Sequence, residues 1–407
     1  MQQLLHTPDG VQDYIGEECI RRQTVCRRIS EVFARFGYQD IQTPVFEYFD
    51  IFNAERGSVA SRNMYKLFDR DGETLVLRPD FTPAIARCAS KYYGGQSMPV
   101  RLRYLGNTYV NTVGYRGQLK ESAQAGIELV GDPSVTANAE VLAMAAEAFL
   151  AVGLTRFQIE VGDVRYFNGL LSEAGIPDEV RQELRTSIEN KNHFALEEIL
   201  REHRIGGNLS QVLTRLPQMF GDPREILAEA RSLTENDSAL EAVDRLEELY
   251  RLLSDYGVAD YITFDLGMLG TQDYYTGMIF KGYTYGTGDH IVTGGRYDNL
   301  LEQFGKPAAA VGFGINIETL MQALMSQGIP VPGRTPGTLI LSAPDRFAEA
   351  LARAKELRSR GVPVTLIPEE ERDLRDLQEF IHENRIVRIL RYPAGSTDIE
   401  QTEENEA

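Results

Sequence analysis

Basic residues are scarce in this chain, and they are not gathered anywhere. Forty-two Lys and Arg stand against 60 Asp and Glu, a net charge of −18 and a pI near 4.9. Affinity for nucleic acid comes largely from cations that displace phosphate counterions, so an acidic chain with no Lys/Arg-rich run is a poor candidate for binding RNA or DNA. Apolar runs are short: none approaches the ~18 residues of a membrane helix. The start, MQQLLHTPDG, lacks the basic and then apolar pattern of a secretory signal. Cys19, Cys26 and Cys88 form no CxxC pair, and an odd number argues against a disulfide framework. A reducing cytoplasm is the expected location. The five histidines, His6, His193, His203, His290 and His382, show no metal-ligand spacing, so neither a metal nor a cofactor is expected. No internal repeat or heptad run is present.

The 407 residues suggest two or three domains. Ile20, Val25, Ile29, Val32, Phe33 and Phe36 recur near helical spacing within residues 17–36, and Gly37 stops the run. YQDIQTPVFEYFDIF then reads as a strand turned at Thr43-Pro44. ETLVLR is another strand, PAIARCASKYY a helix, and VRLRYLGNTYV and SAQAGIELVG a strand pair around a loop. Ser134 is the expected N-cap of a helix over 134–152. From 170 to 257 charged, Leu-rich helical segments dominate, as in an insertion. Strand character returns in YITFDLGML, YYTGMIFKGYTY and HIVTGG, before a helix from about Asn316. The expected division is a domain over 1–325 containing the insertion 170–257, a Pro/Gly-rich linker 326–337, a small α/β unit 338–393, and a disordered acidic tail 394–407.

Five segments stand out together: RPDFTP at 78–83, YLGNTYVNTVGYRGQ at 104–118, QAGIE at 124–128, DYYTG at 273–277, and TGGRYDNLLEQFG leading into VGFGINIETL. Each has a plain explanation alone. Asp80 could simply cap a helix, Gly294-Gly295 could be a tight turn, and Tyr274-Tyr275 could be core packing. Gly312-x-Gly314 by itself says little. Glu128, inside an apolar strand, is harder to set aside: a buried carboxylate needs a solvated cleft or a cation.

In this order the segments resemble the catalytic domain of histidyl-tRNA synthetases over roughly residues 1–325, apart from the insertion, whose position also matches. That resemblance implies an α+β fold of the class II aminoacyl-tRNA synthetase kind, an antiparallel sheet flanked by helices. It also implies a histidine site: Asp80, Thr82 and Gln124 at the α-ammonium, Glu128 and Tyr274 at the imidazole, and Tyr275 beside them. A carboxylate neutralising the ammonium and a second acceptor fixing the ring nitrogen is sound chemistry. Asp80 departs from the family, which carries a longer Glu there.

The nucleotide half departs further. Synthetases place an arginine where this chain has Val110 and a glutamate where it has Thr112. Further arginines of that family correspond to Gly270, Thr319 and Gln118. Losing one preorganised cationic donor costs about 10²–10³ in rate, so adenylate formation is not expected, and no catalytic residue is assigned. The small C-terminal unit is shorter than the family's anticodon-binding domain, which again points away from tRNA.

A synthetase-like chain with histidine contacts kept and ATP contacts erased resembles the regulatory subunits of ATP phosphoribosyltransferase, at the first step of histidine biosynthesis. That resemblance implies a pseudo-enzyme that activates a short-form ATP phosphoribosyltransferase catalytic subunit, assembles with it as a homodimer within a hetero-oligomer, and carries feedback inhibition by L-histidine. Three alternatives stay open: an active histidine–tRNA ligase, another synthetase-like amino-acid-binding protein, and a scaffold with a vestigial pocket.

Overall fold

Helix α1 (Gly16–Arg35) turns Val25, Ile29, Val32 and Phe33 into the core, and Gly37, at φ +82°, ends it. The computed structural model describes residues 5–52, 59–95, 99–112, 119–172, 174–270, 275–369 and 374–403. Two units are distinguished by their contacts, Met1–Asp13 with Val25–Pro330, and Tyr14–Thr24 with Val331–Ala407.

In the first unit the chain continues through β1 (Gln39–Asp40), β2 (Phe46–Tyr48), β3 (Lys66–Phe68), β4 (Thr74–Leu77), α2 (Thr82–Tyr92), β5 (Val100–Tyr109), β6 (Glu121–Val130), α3 (Val135–Ala151), β7 (Phe157–Asp163) and α4 (Val164–Leu171). Helices α5 (Asp178–Glu189), α6 (His193–Glu202) and α7 (Gly207–Arg215) follow, then β8 (Phe220–Gly221), α8 (Pro223–Ser232) and α9 (Asp237–Asp255). The unit closes with β9 (Ile262–Asp265), β10 (Met278–Thr284), β11 (Val292–Arg296), β12 (Ala310–Asn316) and α10 (Ile317–Ser326). Nine strands make one sheet, ordered β1-β5-β6-β12-β11-β10-β7-β9-β8, antiparallel from β5 through to β7. This is the class II type of α+β fold.

Ser134 caps α3 by accepting from the Ala137 amide at 3.1 Å. The stretch read as one turned strand divides instead. Gln39–Asp40 joins the large sheet, while Phe46–Tyr48 joins a separate sheet ordered β2-β4-β3. The break lies at Thr43-Pro44, whose carbonyls accept from the Arg78 guanidinium at 2.8 and 3.3 Å rather than from a neighbouring strand. The 170–257 region is helical except at β8, which pairs with β9.

The second unit carries β13 (Gly337–Ser342), α11 (Phe347–Ser359), β14 (Val364–Pro368), α12 (Leu374–Glu383), β15 (Ile386–Tyr392) and β16 (Glu400–Glu403), with sheet order β14-β13-β15-β16. The acidic tail expected to be disordered is ordered at β16, which pairs antiparallel with β15, Arg388 opposite Glu403. Backbone pairing on a free strand edge needs no apolar residues. The preceding Thr397 and Asp398 carbonyls accept from Arg346, fixing the approach to that edge.

Candidate functional site

Period-two alternation puts Gln124, Gly126 and Glu128 of β6 on one face of the large sheet. The register sets Gly106, Tyr104 and Leu102 of β5 opposite them on one side, and Asn316, Gly314 and Gly312 of β12 on the other. β11 extends the same rows with Thr293 and Gly295. The glycines make this face usable. A Cβ on Gly312 would lie 1.8 Å from Glu128 Oε2, one on Gly314 2.3 Å from Gln124 Nε2, and one on Gly295 2.6 Å from the Tyr275 ring. Glu128 and Gln124 therefore lie across the neighbouring strand in space that any larger residue would fill.

Above this floor, α2 begins. Asp80 Oδ1 accepts from the Thr82 amide at 3.2 Å, but the N-cap position is that of Phe81, which carries no side-chain cap, so Asp80 makes a local turn just before the helix rather than capping it. Asp80 also lines a cavity, together with Thr82, Tyr104, Gln124, Tyr275 and Tyr297. The cavity measures about 120 Å³. At about 30 Å³ for each water in the liquid, that is space for several waters, which suits a small polar ligand. Tyr104 stacks on Phe81 with ring centroids 4.3 Å apart, and its hydroxyl donates to Gln124 Oε1 at 3.3 Å. Arg78 is not part of this wall: buried, it lies over the Phe81 ring and donates to the Asn107 carbonyl at 2.8 Å.

Glu128 sits beneath the cavity rather than on its surface, only 1% exposed. The expectation of a solvated cleft or a cation beside it does not hold. Thr82 Oγ1 donates to its Oε1 at 2.7 Å, and the Tyr297 hydroxyl makes a short bond to Oε2. Among the described residues it makes no ion pair with Lys or Arg. Burial pushes its pKa up to about 8, against the two hydroxyl bonds, and the nearby Asp80 charge adds to the rise. Glu128 thus tends to keep its proton near neutral pH. A cationic ligand group beside it would pull that pKa down and recover the carboxylate.

Asp80, Thr82, Gln124 and Tyr275 therefore share one cavity, with Glu128 just below, while Tyr274 lies outside the described residues. Tyr297 and Tyr104 were not singled out from the sequence. Tyr297 stands in the RYD motif, where its neighbour Arg296 is structural: fully buried, it donates to Asn138 Oδ1 and to the carbonyls of Asp132 and Ser134.

The other end of the sheet face is built differently. Val110 and Asn111 are engaged through backbone amides, to the Lys120 and Asn63 carbonyls at 2.9 and 2.8 Å. Thr319 is in the first turn of α10, its amide bonded to the capping Asn316 side chain at 2.9 Å. Next to it, Glu318 accepts from the Ala123 amide at 2.8 Å, and Glu121 accepts from Asn107 at 2.7 Å. Gly270 has φ +72°, and both its amide and that of Leu269 donate to Glu189 Oε2, at 2.9 and 2.6 Å. Glu189 also pairs with Lys281 at 3.1 Å, so the helical insertion holds Leu269 and Gly270, the latter beside the Tyr275 ring. Gln118 lies outside the described residues. Glu318, Glu121 and Glu189 accept hydrogen bonds at these positions, and the guanidinium groups of Arg78 and Arg185 donate to the Asn107 and Leu269 carbonyls.

Residues 10–320 match the histidyl-tRNA synthetase family. The ATP phosphoribosyltransferase regulatory subunit of Acetivibrio thermocellus is 37% identical over 88% of this chain and 86% of its own length. The protein of the same name from Clostridium acetobutylicum is 34% identical over 97% of each chain. Among solved structures, an ATP phosphoribosyltransferase regulatory subunit/histidyl-tRNA synthetase from Bacillus halodurans superposes with a TM-score of 0.84 at 31% identity, over 93% of this chain and 96% of that one. A histidyl-tRNA synthetase from Nostoc shares the fold, with a TM-score of 0.80 at 20% identity over 98% and 97% of the two chains. The chain therefore belongs to the histidyl-tRNA synthetase-like family, and within it to the ATP phosphoribosyltransferase regulatory subunits.

Proposed function

We propose that this chain is the non-catalytic regulatory subunit of an ATP phosphoribosyltransferase in histidine biosynthesis, that it activates a short-form catalytic subunit, and that L-histidine bound in the Asp80–Gln124 cavity mediates feedback inhibition. One observation carries this reading. The cavity has room for a small ligand and polar groups for both ends of histidine, while at the described positions Val110 and Thr319 beside it no arginine side chain stands and Glu318 and Glu121 accept hydrogen bonds. Asp80, Thr82 and Gln124 receive the α-ammonium; Glu128, with Tyr274 and Tyr275, meets the imidazole. The ammonium, or a protonated ring, draws Glu128 into its charged form, which gives the ligand a preference for one state of the pocket.

The assembly we infer is a homodimer within a hetero-oligomer, in the cytoplasm and without tRNA. Phe46, Tyr48 and Leu67, exposed and set by the register on one face of the three-stranded sheet, favour self-association through that face. Among the described residues no helix is long and apolar enough to cross a membrane.

The test is phosphoribosyl-ATP formation by a short-form catalytic subunit, with and without this chain, across a histidine titration. Activation that histidine then suppresses is the expected result. Absence of activation with the cognate partner overturns the regulatory reading, and histidine-dependent pyrophosphate exchange by this chain alone would reinstate a ligase.

A further inference from the structure

A second cleft, of about 300 Å³, lies between α4 and the first half of α9, and it shares no lining residue with the amino-acid cavity. Its polar lining is Arg165, Asn168 and Ser172 on one side, and Ser238, Glu241 and Arg245 on the other. The walls are fixed where the helices touch: a Cβ on Gly169 would meet the Ala239 amide nitrogen at 2.5 Å. Two guanidinium groups face this space in different electrostatic states. Arg165 is matched by the buried Asp163, through Nε to Oδ1 at 2.8 Å and a second, shorter bond from Nη2.

Arg245 is not matched. Its one hydrogen bond among the described residues runs from Nη2 to the Pro133 carbonyl at 3.2 Å, and it makes no ion pair. Its Nε is sealed from solvent with no acceptor. Burial, and then the Arg165 charge, lower its pKa, while the charges of Asp163 and Glu241 act the other way without reversing the shift. With a like-charged neighbour and, among the described residues, one hydrogen bond and no carboxylate within ion-pair distance, this half-buried guanidinium has capacity for a further acceptor.

We propose that this cleft binds the phosphate group of a small phosphorylated, hydroxyl-bearing molecule, with Arg245 and Arg165 as its cations. A phosphate supplies several acceptor oxygens, which a pair of guanidinium groups recognises in planar, bidentate fashion. Ser238 and Asn168 add neutral donors at the same walls. Glu241, exposed at the rim, repels a bare anion but accepts a hydrogen bond from a hydroxyl placed beside the phosphate, which favours a sugar phosphate over inorganic phosphate. The site stands independently of the histidine reading. It is nonetheless close to the amino-acid cavity: the Val164 amide donates to the Gly277 carbonyl at 3.1 Å, and Gly277 packs against Arg165 two residues beyond Tyr275.

Isothermal titration of the full chain with ribose 5-phosphate and with inorganic phosphate tests this. Ribose 5-phosphate should bind more tightly than phosphate, and R245Q, with its fold checked by circular dichroism, should weaken it by about tenfold to hundredfold, the worth of one charge-assisted contact. Should R245Q fail to fold, S238E, which adds a carboxylate to the same wall, is expected to weaken binding likewise. Binding of neither compound overturns the proposal, as does unchanged affinity in the folded variant. Equal affinity for the two compounds overturns the role given to Glu241.

Discussion

The two ends of one sheet face have diverged. At the amino-acid end, polar side chains converge on a small cavity and are knitted together: Thr82 and Tyr297 on Glu128, Tyr104 on Gln124. At the other end lie Val110 and Thr319, two of the positions that the resemblance matches to synthetase arginines, and their described hydrogen bonds run through backbone amides. Both ends rest on the same strands, β6 and β12. The difference implies that side chains can be exchanged where the described hydrogen bonds run through backbone amides, without disturbing the strands. The amino-acid end cannot be changed so freely, since its groups are buried and satisfy one another.

The sharpest way to break this contrast is E128A. It removes the shared acceptor of Thr82 and Tyr297, and histidine affinity should fall about hundredfold while activation of the catalytic subunit persists. Full histidine sensitivity in E128A would remove Glu128 from the sensor. A milder change, E128Q, isolates the proton. The folded-state pKa of Glu128, about 8, is raised above the ordinary 4.5. The native state therefore holds a proton that the unfolded chain has released, and stability falls as pH rises between those values. E128Q lacks this loss, so its Tm advantage over the wild type should grow by several degrees across that window and level off above it. A constant Tm difference from pH 5 to 9 would place the titration elsewhere.

G312A tests the floor. Its added Cβ meets Glu128 Oε2 and the Ile127 carbonyl, so about 1–3 kcal/mol of stability should be lost in denaturant melts, together with histidine binding. At the opposite end, V110A and T319A should each shift stability by less than about 0.5 kcal/mol and leave the histidine Kd unchanged. A large effect there would mean that the two ends are not separable.

The order of strands and helices was legible wherever a periodic apolar pattern accompanied a cap, as at Ser134 and α3. The cavity lining was legible through short motifs, Asp80 to Thr82 and Gln124 above all. Two things were not. The partners of Glu128 come from Thr82 and Tyr297, 46 and 169 positions away, and no local pattern announces a hydroxyl arriving from such distances. β16 was hidden for a different reason: Glu400–Glu403 pairs through its backbone, and its side chains carry no strand signal.

Gly270 bears on the direction of evolutionary change. Its backbone, at φ +72°, lies where an L side chain costs about 1–2 kcal/mol, and a Cβ there would press on the Tyr275 ring at 3.3 Å. Replacing that glycine by arginine would therefore not restore a catalytic cation in place. The loop would first have to give up the bonds that tie Leu269 and Gly270 to Glu189. The backbone is in this sense latched around glycine: an arginine placed there by a single substitution would meet a scaffold not shaped to receive it.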